Sequence, residues 1–139
     1  MLTFQIKTHK HGQTYSKPHF YILNKGLNSG KPCRTPIRNS FVVSTETIEQ
    51  KEALFQLSLM LLESKCYNYY LKGSVIPFIG IHDVKNLLIK NHIHLQQKEV
   101  QTKIEAIKKI EVLEKGFQNK LKTIQELKIS LLMSCKLER

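Results

Sequence analysis

The residues able to do chemistry are few, and their spacing does not favour it. Gly26-Leu27-Asn28-Ser29-Gly30-Lys31 superficially has the shape of a phosphate-cradling loop, but its glycines stand one residue too close. Pro32 occupies the place where a Ser or Thr hydroxyl would hold Mg²⁺, and proline there is a poor continuation into the helix such a loop needs. Nucleotide hydrolysis is therefore rejected, and the stretch reads as a turn presenting Lys25, Asn28 and Lys31 outward. His9-x-His11 and His92-x-His94 are paired histidines with no carboxylate or thiol at ligand spacing, so no metal is expected. Cys33, Cys66 and Cys135 form no Cys-x-x-Cys; odd in number and far apart, they suit free thiols in a reducing, cytoplasmic setting. Cys66 would need a His and an Asn brought to it by the fold to act as a nucleophile. Asp83, the only aspartate, sits beside His82 and reads as a surface or turn residue. No catalytic motif and no cofactor motif emerges, and the chain is read as a non-enzymatic binding module.

Charge carries more information. Lys and Arg number 22 against 11 acidic residues, a net charge of +11. The excess is uneven. Residues 1–45 contain Lys7, Lys10, Lys17, Lys25, Lys31, Arg34 and Arg38 and no Asp or Glu at all. Residues 46–90 are neutral, and residues 91–139 carry the remaining excess of +4. A carboxylate-free cationic segment implies a polyanionic partner, with nucleic acid the usual one. DNA is the expected partner, contacted by Lys7, Lys10, Lys17, Lys25, Asn28, Lys31, Arg34 and Arg38. By residue type, the lysines supply point charge, Arg34 and Arg38 suit guanine edges, and Asn28 suits adenine. No apolar run follows Lys7 and Lys10, so no signal peptide is expected. Leu54 to Leu62 includes Gln56 and Ser58 and is too short to cross a bilayer, so no membrane partner is expected.

The elements that must position these residues can be read from hydrophobic period. Leu2, Phe4 and Ile6 alternate with polar neighbours, as a strand with one buried face does. Thr8–Pro18 is polar and reads as a loop. Phe20–Leu23 and Phe41–Val43 are short apolar runs suited to strands, and the turn-rich Asn24–Arg38 between them reads as an exposed basic loop. Ser44-Thr45-Glu46-Thr47 has the hydroxyls and carboxylate of a helix start. That helix is expected to run to about Ser64 and to bury Ala53, Leu54, Leu57, Met60 and Leu61. Tyr67, Tyr69 and Tyr70 then read as packing at its end rather than as base-stacking side chains.

From Gln96 the period changes. Val100, Ile104, Ile107, Ile110, Leu113, Phe117, Leu121, Ile124, Leu127 and Leu131 recur three or four residues apart, close to the 3.5 of a supercoiled helix seam. One helix from Gln97 to Cys135 would be longer than the body is wide, so its stripe is expected to pair with a second long helix, in a homodimer or on another protein. Gly116 is its weak point, but the apolar spacing continues through it and favours an unbroken helix over a hairpin. The expected architecture is α+β: a small β-rich body over residues 1–95 with one packed helix, then a long coiled-coil-like helix over residues 96–139.

Gly73-Ser74-Val75-Ile76-Pro77-Phe78-Ile79, then Asp83-Val84-Lys85-Asn86-Leu87, then Leu95-Gln96-Gln97 before a long amphipathic helix, resembles the end of a target-recognition domain from type I restriction–modification specificity subunits. The resemblance covers residues 41–135. It lacks the connector prolines, and the chain is short even for one half of such a subunit. It implies a DNA-binding module that oligomerises through its last helix. The competing reading is a structural coiled-coil protein of a larger complex, with no nucleic-acid role.

Overall fold

The computed structural model describes residues 3–138, so Leu2 of the N-terminal alternation lies outside the described residues. Four strands form one antiparallel sheet: β1 (Phe4–Thr8), β2 (His19–Leu23), β3 (Pro32–Cys33) and β4 (Ser40–Thr45), in spatial order β1-β4-β2-β3. Three helices follow: α1 (Ile48–Glu63), α2 (Ile81–Asn91) and α3 (Lys98–Met133). The chain divides into two compact units between Gln97 and Lys98. The α+β class is the one the sequence implies.

Register sorts the strand residues onto two faces. Ile6 stands opposite Val43, Val43 opposite Phe20, and Phe41 opposite Ile22. These side chains form the inner face and pack with Leu54, Phe55, Leu57 and Leu61 of α1 and Val84, Leu87 and Leu88 of α2. Phe20 meets Phe55 edge-on at 5.5 Å between ring centroids, the arrangement that ring quadrupoles favour. The inner-face alternation explains Phe4 and Ile6. It does not explain the unbroken runs Phe20-Tyr21-Ile22 and Phe41-Val42-Val43, which are buried throughout. Those strands are the two central ones, and both of their faces are covered.

α1 starts where its residues allow. Thr47 is the N-cap, and its hydroxyl accepts the Gln50 backbone N–H at 3.2 Å, satisfying one of the orphan donors of the first turn. Leu54, Phe55, Gln56, Leu57 and Ser58 are all buried, so the middle of α1 is covered nearly all round rather than along one stripe. Ala53 and Met60, expected in the core, are half-buried instead. Ser58 stays satisfied by donating to the Leu54 carbonyl at 2.9 Å.

The body packs two helices, not one. The sequence implies one packed helix in the body because Pro77, Gly80 and the polar His82-Asp83 obscure the helical period of residues 81–91. The apolar positions Val84, Leu87 and Leu88 supply it, and α2 buries all three. Before α2, the backbones of Lys72 and Phe78 exchange hydrogen bonds of 2.9 Å, closing a hairpin around Gly73–Pro77. This hairpin docks on the Asn24–Lys31 turn through Gly26 N–H to the Pro77 carbonyl at 2.7 Å. A short strand, β3, interrupts the Asn24–Arg38 segment expected to be all loop.

Gly30 is the tightest point of that turn. Its φ is +99°, and a Cβ there would lie 2.3 Å from Cδ2 of the buried Tyr67. The second glycine of the apparent phosphate loop thus serves packing, whereas a Cβ at Gly26 would meet nothing within 4 Å. In α3, by contrast, Gly116 lies within an uninterrupted helix, and a Cβ would meet nothing within 4 Å.

The two glycines predict opposite responses. Gly30→Ala should destabilise the body by about 2–4 kcal/mol, combining left-handed strain with overpacking. Gly116→Ala should stabilise α3 by up to about 1 kcal/mol. Urea unfolding followed by circular dichroism checks both; a neutral Gly30→Ala would contradict the packing described for Tyr67.

Candidate nucleic-acid interface

All four strands lie within the segment that has no Asp or Glu. The carboxylates of the body, Glu46, Glu49, Glu52, Glu63 and Asp83, come after β4. The sheet face turned away from α1 and α2, the outer face, therefore has no strand carboxylate. Register places Gln5, Ser44 and His19 in one row across it, and Lys7, Val42, Tyr21 and Cys33 in the next. A third row holds His9, Ser40, Leu23 and Lys31. His9 N–H donates to the Ser40 carbonyl, and Leu23 N–H to the Lys31 carbonyl, both at 2.9 Å. Lys7 and Lys31 thus stand on opposite edge strands, about 16 Å apart by strand spacing and rise.

Four rings occupy this face. Tyr21 is 2% exposed and Val42 1%, because the chain after β1 turns at Lys10–Gln13 and brings Tyr15 back over them. Tyr15 lies 5.8 Å from His9 and 5.3 Å from His19, while Tyr21 beneath lies 4.9 Å and 5.4 Å from the same two rings. The Tyr15 hydroxyl and His9 Nδ1 share a hydrogen bond of 3.0 Å. His19 Nδ1 is 2.7 Å from the Lys17 carbonyl. A carbonyl can only accept, so Nδ1 carries the proton, and in the neutral ring Nε2 accepts from the Tyr21 hydroxyl at 3.1 Å. Burial, and secondarily Tyr15, pushes the Tyr21 phenol above its ordinary range. Burial likewise pushes the Cys33 thiol up, against a smaller opposite pull from Lys31. Cys33 is held as a neutral thiol, the wrong state for a nucleophile.

The expected DNA-binding residues do not form one surface. Lys7 and Lys31 are on the outer face, and Lys10 opens the turn that crosses it. Arg34 is not available. One residue past Cys33, it falls on the inner side, donates to both Glu52 oxygens at 2.7 and 2.9 Å, and covers the Phe55 ring at 4.0 Å. Its hydrogen bonds hold the Glu52 carboxyl below the usual range, with burial opposing and Lys51 assisting. Arg34, suited by type to a guanine edge, here ties the chain after β3 to α1 through its one nitrogen Nη1. Lys17 is paired with Glu46 at 2.5 Å. Lys25 and Asn28 sit in the turn docked on the Lys72–Phe78 hairpin, and Arg38 lies in the exposed connection to β4. Lys7, Lys10, Lys25, Lys31 and Arg38 have no carboxylate partner among the described residues.

His9, Tyr15, His19 and Tyr21 were not singled out as a group by sequence reasoning. His9 pairs in sequence with His11, but in the fold it is linked to His19, two rows away on the sheet, through the Tyr15 and Tyr21 rings between them. Of the three tyrosines expected to pack at the end of α1, Tyr67 is fully buried and burial pushes its phenol far above the ordinary range, whereas Tyr69 and Tyr70 are exposed. Among the described residues no group of three or more His, Cys, Asp or Glu could hold a metal ion, and no helix is long and apolar enough to cross a membrane.

α3 forms the second candidate surface. Ile110, Phe117, Ile124 and Leu131 recur every seven residues, and they are 60%, 65%, 62% and 62% exposed. Leu113, Leu121 and Leu127 lie between them and are similarly open. Of the expected seam, Val100, Ile104 and Ile107 are half-buried, and the rest is bare.

The segments resembling a target-recognition domain fold as the Lys72–Phe78 hairpin, the first turns of α2, and the break before α3, where a 3₁₀ turn (His92–Gln96) ends. No curated protein and no solved structure matches the chain. The model of one family of unknown function, DUF6943, matches residues 6–134, nearly the whole chain, and the protein belongs to that family.

Proposed function

We propose that this protein is a non-enzymatic nucleic-acid-binding module, with the outer face of its sheet as the contact surface. The observation that carries the proposal is the segregation of charge. Every strand comes from the carboxylate-free segment, so the outer face meets a phosphate backbone with cations and no opposing strand carboxylate. Lys7, Lys10 and Lys31 are the contacts on or beside that face. Lys25, Asn28 and Arg38 are held back as flanking contacts, and Arg34 and Lys17 are withdrawn because they already have partners. DNA is the expected polymer, with pairing of two copies through α3.

The exposed seven-residue stripe of α3 favours a second reading, a coiled-coil interaction protein of a larger complex. The two readings part on one experiment. Binding of labelled DNA is measured over a series of salt concentrations for the wild-type chain and for Lys7→Ser, Lys31→Ser and Arg34→Lys. Each outer-face lysine removed should weaken binding and reduce the log–log salt slope by roughly 1. Arg34→Lys should leave binding unchanged while costing up to about 1 kcal/mol of stability, because an ammonium does not replace the planar guanidinium over the Phe55 ring. No salt-sensitive binding in the wild type would leave the coiled-coil reading alone.

Pairing through α3 is tested separately. Phe117→Asp combined with Ile124→Asp should reduce the mass in solution to that of a single chain, measured by light scattering. The circular dichroism signal of the sheet should persist.

A further inference from the structure

The outer face presents rings as well as cations, and that combination bears on which form of nucleic acid it takes. Building on the reading just given, we propose that the face binds single-stranded rather than duplex nucleic acid. Tyr15, His9 and His19 take unpaired bases, and Lys7 and Lys31 take the phosphates beside them.

Three observations lead there. First, the rings are anchored but not sealed. Tyr21 is the buried floor, while His9, Tyr15 and His19 are each only partly buried, so each keeps some surface open to solvent. Their hydrogen bonds to Tyr15, Tyr21 and the Lys17 carbonyl fix them before any ligand arrives. A pre-fixed ring loses little freedom on binding, and every base has a π-face to offer it whatever the sequence.

Second, the body has no helix suited to a major groove. α1 carries Glu49, Glu52 and Glu63 against Lys51 alone, so its field opposes a phosphate backbone. α2 carries Asp83 with Lys85 and Lys90, and Asp83 is engaged by Lys72 at 3.5 Å. In a duplex the base faces are stacked on one another and closed to rings from outside; in a single strand they are open.

Third, the cations frame the rings. Lys7 lies on β1 and Lys31 immediately before β3, at the two edges of the sheet, and the four rings lie over the strands and the turn between them. A strand laid across the sheet meets charge, rings, then charge. No strand of the face carries a carboxylate; Glu46, just past β4, is paired with Lys17, and no metal-binding group of side chains among the described residues suggests a different ligand.

The test uses the full chain and three labelled probes of about 16 nucleotides: oligothymidylate, oligouridylate and a mixed-sequence duplex. The protein has no Trp, so tyrosine emission reports directly on stacking. At equal salt, at least one of the two single strands should bind roughly tenfold or more tighter than the duplex, with quenching of tyrosine emission. Tyr15→Ala should weaken that binding about tenfold, whereas Tyr15→Phe, which keeps the ring, should retain it. Duplex bound as tightly as either strand overturns the single-strand assignment and leaves the nucleic-acid reading standing. No probe bound at low salt removes both. A folded Tyr15→Ala chain with wild-type strand affinity also overturns the assignment. If that variant fails to fold, the wild-type comparison of strand with duplex decides.

Discussion

Two strands of this sheet must be covered on both sides, and most of the body follows from that. β2 and β4 are central, and the runs Phe20-Tyr21-Ile22 and Phe41-Val42-Val43 send apolar side chains to both faces. The inner side chains are enclosed by α1 and α2, whose Leu54, Leu57, Val84 and Leu88 complete an ordinary core. Tyr21 and Val42 point the other way, where no helix lies. Leaving them in water would forfeit about 25 cal/mol for each Å² of apolar surface. The chain between β1 and β2 turns back over this side instead, and its His9 and Tyr15, with His19 at the start of β2, pack their rings about Tyr21. An outer layer built from amphipathic rings gives an apolar underside and leaves polar atoms to hydrogen-bond among themselves.

The same division of labour sorts the charge. Strands buried on both faces have no room for carboxylates, and edge strands tolerate lysine, which also discourages pairing with another sheet. Carboxylates are confined to the helices and their approaches, where Glu49 in the first turn of α1 suits the helix dipole. Glu52 then recruits Arg34 across the gap between β3 and α1. That pair is partly open to solvent, so it contributes less to stability than its short contacts alone suggest. Its larger consequence is to take one cation out of the basic segment and commit it to the inner side of the body.

Some of this was legible in the sequence. The Thr47 cap, the span of α1, the two central strands and the continuity of α3 through Gly116 each leave a local signal: a hydroxyl before an acidic turn, an apolar run, a sustained 3.5-residue period. α2 left a weak one, because Gly80 and His82-Asp83 at its start resemble a turn and only Val84, Leu87 and Leu88 carry the period. The outer-face cluster left none. His9 and His19 stand two rows apart and are linked by the Tyr15 and Tyr21 rings, and β1 is held beside β2 by β4, a strand that begins more than twenty residues after β2's start. Nothing in a local window encodes that register. Arg34 misled for a related reason. Its charge is visible in sequence, but the face it occupies depends on its parity relative to Cys33, and Cys33 is in a strand of two residues that propensity does not announce.

The long helix poses the remaining physical problem. Thirty-six residues at 1.5 Å each give about 54 Å of helix, and from Ile110 onward its large apolar side chains are open. Isolated helices gain little from propensity alone, and a helix with an uncovered apolar stripe draws its stability from whatever covers the stripe. A surface of three or four cations and a few rings is, in turn, a weak binder by itself. In the proposed reading each weakness answers the other. Pairing two copies through α3 would cover the stripe and tether two outer faces, so that the second contact becomes intramolecular. Affinity gained that way needs no new contact on either face, which is how a body of under a hundred residues with so few free cations could hold a polyanion.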